Sequence, residues 1–119
     1  MREIKFRVWD CFNAEYTHSK DKQNLQDFFT YCQKCINGGN ELILEQFTGL
    51  KDKNGVDIYE GDILAYPRIF SQNPEDTPYA IDGIKFEEGC YNVGEYGLWE
   101  YYDESVVIGN IHENPELLK

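Results

Sequence analysis

Apolar and polar positions alternate near the start of the chain, with Ile4, Phe6 and Val8 set against Lys5, Arg7 and Trp9. Successive side chains of a strand point to opposite faces, so this spacing predicts a strand over residues 3–9 with one buried and one solvated face. The period then changes. After the polar stretch Asn13 to Gln23, the residues Leu25, Phe28, Phe29, Cys32 and Ile36 recur at intervals of three and four. They line one face of a helix over about residues 22–36, which Asn37-Gly38-Gly39-Asn40 stops.

A strand predicted over 41–47 feeds Gln46-Phe47-Thr48-Gly49-Leu50-Lys51-Asp52-Lys53-Asn54-Gly55. Asn-Gly accepts positive φ at both central positions of a type I′ turn, so Asn54-Gly55 is expected at a hairpin tip. A second turn at Glu60-Gly61-Asp62 precedes a strand over 63–66, ended by Pro67. Ser71 to Pro78 holds turn formers, two prolines and no apolar residue, the composition of a mobile surface loop. Further strands are predicted at 83–86 and 90–93, joined through Glu87-Glu88-Gly89, and at 98–102 and 105–108. Asn114 and Pro115 suit the N-cap and first position of a short terminal helical turn. Six or more short strands with few helices imply a mainly β fold, a small barrel or roll.

With 119 residues, 41% of them apolar and 15% aromatic, the chain is expected to form a single domain spanning 1–119 around one core. No apolar run approaches the roughly 20 residues that cross a bilayer, and the charged start Met1-Arg2-Glu3-Ile4-Lys5 does not resemble a signal peptide. A cytoplasmic location and no membrane association are expected.

The net charge of −11, from 22 acids against 11 bases, opposes binding to a phosphate backbone, which needs Lys and Arg to displace counterions. From Glu75 onward eleven acids face only Lys85 and Lys119. Such a surface keeps a protein soluble by self-repulsion, or meets a basic partner. Four cysteines, Cys11, Cys32, Cys35 and Cys90, are expected to stay reduced in a cytoplasm. Cys32-Gln33-Lys34-Cys35 has the spacing of a zinc half-site. The remaining candidates, Cys11, Cys90, His18 and His112, are scattered singly, so neither metal nor another cofactor is expected. No nucleophile elbow, zinc-protease motif or phosphate loop occurs, and both histidines lie in polar contexts. An enzyme is not expected.

Three motifs in order resemble the YopX-like family. They are Arg2-Glu3-Ile4-Lys5-Phe6-Arg7-Val8-Trp9-Asp10, then Phe47 to Gly55 with Ile58-Tyr59-Glu60-Gly61-Asp62-Ile63, and Ile108-Gly109-Asn110-Ile111-His112-Glu113-Asn114-Pro115-Glu116-Leu117-Leu118. The resemblance implies a phage or prophage origin in Gram-positive bacteria and an SH3-like β-barrel or roll, and it implies no reaction. Within these motifs Gly49, Gly55, Gly61 and Gly109 read as positions of positive φ or close backbone approach, and Asp62 as an acceptor for turn amides.

Two functional readings follow. The first is a non-enzymatic module that binds a host or phage protein. Tyr59, Glu60 and Asp62 would present an aromatic ring and two acceptors at a barrel rim, or Trp9 beside Lys5 and Arg7 would form an aromatic-cationic face, against the plainer reading of a solvated strand face with Trp9 folded over a neighbour. The second is an acidic mimic of nucleic acid that occupies a host protein's binding channel, with Glu87, Glu88, Asp103 and Glu104 standing where phosphates would sit. Self-assembly through exposed strand edges is a third arrangement.

Overall fold

The computed structural model describes residues 3–67 and 79–118; the loop expected at Ser71 to Pro78 lies outside them. Nine strands against one helix longer than a single turn make these residues mainly β, as the pattern predicts. Contacts divide the chain into two compact units, Met1–Phe47 and Thr48–Lys119.

In the first unit, β1 (Phe6–Asp10) runs antiparallel to both β2 (Glu15–His18) and the start of β3 (Leu42–Lys51). The predicted helix is α1 (Leu25–Asn37). It starts where Asn24 accepts a hydrogen bond from the Asp27 amide at 2.8 Å, satisfying one of the free donors of the first turn. Phe28 and Cys32 from its inner face are buried with Val8, and Phe6, Tyr31 and Leu42 pack around them.

The other face of β1 departs from expectation. Arg7 is buried, not solvated, and Trp9 is buried against its neighbour. The Arg7 Nε donates to Glu45 Oε1 at 2.8 Å, and its guanidinium lies 4.2 Å from the Tyr16 ring centroid. Trp9 packs edge-on against the same ring at 5.0 Å. Pairing with a carboxylate and stacking on an aromatic face let a cation leave water, which alternation alone does not reveal. The strand also begins at Phe6, leaving Ile4 exposed.

In the second unit the remainder of β3 neighbours β4 (Asp57–Tyr59), and Thr48 Oγ1 donates to the Ile58 carbonyl at 2.7 Å. A five-stranded antiparallel sheet follows, built from β5 (Asp62–Pro67), β6 (Tyr79–Glu87), β7 (Cys90–Val93), β8 (Tyr96–Gly97) and β9 (Val106–Asn110) in the order β8-β7-β6-β5-β9. Ile58, Leu64, Tyr66, Ile84, Val93 and Leu98 form its core. Among the described residues the buried apolar side chains gather in two clusters, one in each unit, and partly buried side chains pack against both.

Residues expected as a strand at 98–102 form the single helical turn α2 (Leu98–Tyr101), followed by a 3-10 turn at Tyr102–Glu104. The aromatic-rich run has high strand propensity, and packing of Leu98 into the core overrides it. A 3-10 turn at Pro115–Leu118 stands where the terminal helical turn is predicted. The Asn114 side chain, however, accepts from the Asn110 amide behind it at 3.2 Å. Of the motif glycines, Gly49, Gly55 and Gly61 have positive φ, and Gly109 lies against Asn114.

The Asn54-Gly55 turn is not type I′, because only Gly55 of the pair has positive φ. Asp52 organises it instead. Its carboxylate accepts from the Asn54 amide at 2.8 Å, the Val56 amide at 3.0 Å and, from β9, the Val107 amide at 2.9 Å. The two-residue turn with positive φ at both positions is Glu88-Gly89, at 53° and 80°, between the paired residues Glu87 and Cys90. No helix among the described residues is long and apolar enough to cross a membrane.

Candidate functional site

The rim expected from Tyr59, Glu60 and Asp62 does not form. Tyr59 and Asp62 are each 3% exposed, and Asp62 Oδ2 accepts from the Tyr59 amide at 2.8 Å. The carboxylate satisfies the turn's own backbone, as its spacing suggests, and is not offered to a partner. Only Glu60 of the three is partly accessible. Trp9, 7% exposed, is likewise withdrawn from the surface.

The four acids nominated in the second unit are all exposed, Glu87 and Glu88 at the β6–β7 tip and Asp103 and Glu104 in the 3-10 turn. Charge divides sharply between the units. Residues 48–119 carry 15 acids against five bases, whereas residues 1–47 carry seven against six.

Cys32 and Cys35 sit one turn apart inside α1, far from the helix N-terminus that activates thiols in redox motifs. Burial pushes the Cys32 thiol above its ordinary value, and the adjacent Cys35 adds to the shift. Among the described residues no three His, Cys, Asp or Glu side chains gather as a metal-binding group.

The surface that sequence reasoning missed lies in the first unit. Val8, Phe29, Cys32, Gln33, Ile36, Leu42 and Leu44 line a groove of ≈ 270 Å³ between α1 and the strands β1 and β3. Phe29, Ile36 and Leu44 remain 42%, 51% and 51% exposed. Phe29 and Ile36 belong to the predicted apolar helix face, and Leu44 to the predicted strand at 41–47. The signal was present in these side chains, but hydrophobic periodicity reports which face is apolar and not whether its neighbours fill it.

The chain is similar to known proteins in family and in fold. A family model described as YopX protein matches residues 5–119. The crystal structure of protein EF1440 from Enterococcus faecalis is similar in fold, with a TM-score of 0.63, 28% sequence identity and 100% of both chains covered. No curated protein matches the chain. Matched over nearly all its length, the chain belongs to the YopX protein family.

Proposed function

We propose that this protein is a non-enzymatic, phage- or prophage-encoded interaction module whose groove in the first unit receives an apolar segment of a partner protein. The observation that carries the reading is the groove itself: six of its seven lining residues are apolar or thiol-bearing, and three are substantially open to water. Covering such surface releases its hydration water, and exposed apolar patches on soluble proteins mark interaction sites. Its ≈ 270 Å³ falls below the usual range of drug-sized ligand sites and suits one or two inserted side chains. The surrounding unit is nearly charge-neutral, which favours an uncharged occupant.

The test is affinity capture from a nuclease-treated Gram-positive lysate with wild-type protein, Leu44→Asp and the quadruple variant Glu87→Gln, Glu88→Gln, Asp103→Asn, Glu104→Gln. A partner lost only with Leu44→Asp supports the groove, provided that variant keeps its folded amide spectrum. Equal capture by all three overturns it. A concentration-dependent dimer abolished by Leu44→Asp would assign the groove to a second copy instead.

A second reading rests on the exposed acids of the second unit. As a nucleic-acid mimic, the protein would capture a partner that DNA or RNA displaces and that the quadruple variant binds more weakly, with reduced salt sensitivity.

A further inference from the structure

The groove of the first unit borders a sheet edge that no described strand completes. β3 pairs with β1 in the register Phe6↔Gln46, Val8↔Leu44 and Asp10↔Leu42. At the two ends of this ladder the Cys11 amide donates to the Glu41 carbonyl and the Phe47 amide to the Lys5 carbonyl, both at 2.9 Å. Odd-numbered residues of β3 thus turn their backbone groups toward β1. Backbone direction alternates along an antiparallel strand, so Leu42 and Leu44 aim their amides and carbonyls the other way. Among the described residues no strand meets them there. The sheet order is β2-β1-β3-β4, and the three-residue β4 lies beside the later part of β3, just past the turn in which the Asp52 amide donates to the Val56 carbonyl. A row of backbone groups left open in this way is a template for another strand.

The same two leucines line the groove, on the face of the sheet that Val8 shares. One flank of α1 rests on β2, where Thr17 Oγ1 donates to the Tyr31 hydroxyl at 3.3 Å. Phe29, Gln33 and Ile36 lie on the opposite flank and wall the groove on the β3 side. A strand added to β3 would run about 4.8 Å from it, and every second side chain would point to the α1 face, into the groove. No charged side chain lines that space, so the inserted residues are uncharged.

We propose that the occupant of the groove is an extended segment of a partner protein, which adds to β3 as a strand at Leu42 and Leu44 and places apolar residues, at every second position, beneath α1. This rests on the groove reading above and gives the partner a backbone contact that apolar insertion alone does not require.

The experiment is an NMR titration of the isotope-labelled full chain with the peptide Lys-Thr-Val-Thr-Leu-Thr-Val-Thr-Lys and two backbone-methylated forms of it. Methylating the Val and Leu nitrogens blocks antiparallel addition, and methylating the inner Thr nitrogens blocks parallel addition. Saturable shifts at Leu42 and Leu44 are expected, with slower solvent exchange of both amides and affinity reduced about tenfold or more by one methylation pattern only. Equal weakening by both patterns, or by neither, would overturn strand addition. Binding that ignores methylation yet disappears in Leu44→Asp would overturn it while keeping the groove. A peptide that does not bind at all would also overturn it, and the capture experiment above still tests the groove by itself. Protection of the two amides that grows with protein concentration in the absence of peptide would assign the edge to a second copy and overturn the partner.

Discussion

Glu45 shows how much a single side chain can carry. It is 4% exposed, pairs with the Arg7 guanidinium at 2.8 Å and accepts the Tyr16 hydroxyl at 2.9 Å. Removing it takes the paired carboxylate away from a buried cation, so Glu45→Ala should lower stability by about 3–5 kcal/mol. Arg7→Met combined with Glu45→Leu should cost far less, because neither charge of the pair is then left behind without the other. Urea unfolding of the three proteins checks this; a single variant within about 1 kcal/mol of wild type would refute the account. Asp10 supplies a pH signature. The Asn13 amide foremost, then the side-chain amides of Asn13 and Asn40 and the Phe12 amide, hold its carboxyl below the ordinary value against the opposing cost of burial. A depressed pKa stabilises the fold above the unfolded value of about 3.9, and the contribution is lost as pH falls through the folded value. Asp10→Asn should therefore flatten the acid limb of the stability profile below about pH 4 while leaving its neutral-pH slope unchanged.

Elements were legible in the sequence to the extent that their own pattern decided them. The helix at 25–37 and the strands flanking Glu88-Gly89 follow from spacing and turn formers. What sequence patterns could not supply were facts about partners. Arg7 read as solvated because Glu45, which receives it, lies on another strand. Residues 98–101 read as strand because their helical turn depends on Leu98 entering a core assembled from distant segments. The turns make the point sharply, since Asn-Gly was expected at the type I′ position and a Glu occupies it instead. Glu88→Asn should relieve its left-handed backbone and stabilise the protein by about 0.5–1 kcal/mol. Asn54→Ala should change little, because Asn54 has no positive φ. Thermal unfolding of both variants tests the assignment, and the reverse ranking would contradict it. The candidate surface was least legible: Phe29, Ile36 and Leu44 could each be read as apolar, but not the groove they leave open between α1 and the strands β1 and β3.

Across the whole molecule the division of charge has a measurable effect. With 15 acids against five bases in residues 48–119, self-repulsion opposes compaction there and is screened by salt. Raising sodium chloride from 0.1 to 1 M shortens the screening length from about 10 to about 3 Å and should raise the melting temperature by a few degrees. The quadruple variant of Glu87, Glu88, Asp103 and Glu104 should show a shallower salt response; equal slopes would place the repulsion elsewhere. The turn held by Asp52 bears on the same charge over a longer time. In a loose chain, Asn-Gly is prone to deamidation, in which the glycine nitrogen attacks the asparagine side-chain carbonyl, ammonia leaves as a succinimide ring closes, and water opens that ring to a new carboxylate. Here the Gly55 amide donates to the Asp52 carbonyl at 3.0 Å, and the Asn54 amide is held by the Asp52 carboxylate. A nitrogen so engaged is poorly placed to close the succinimide ring, so the folded protein should age at Asn54 far more slowly than the same peptide cut free, and Asp52 acts as its preservative.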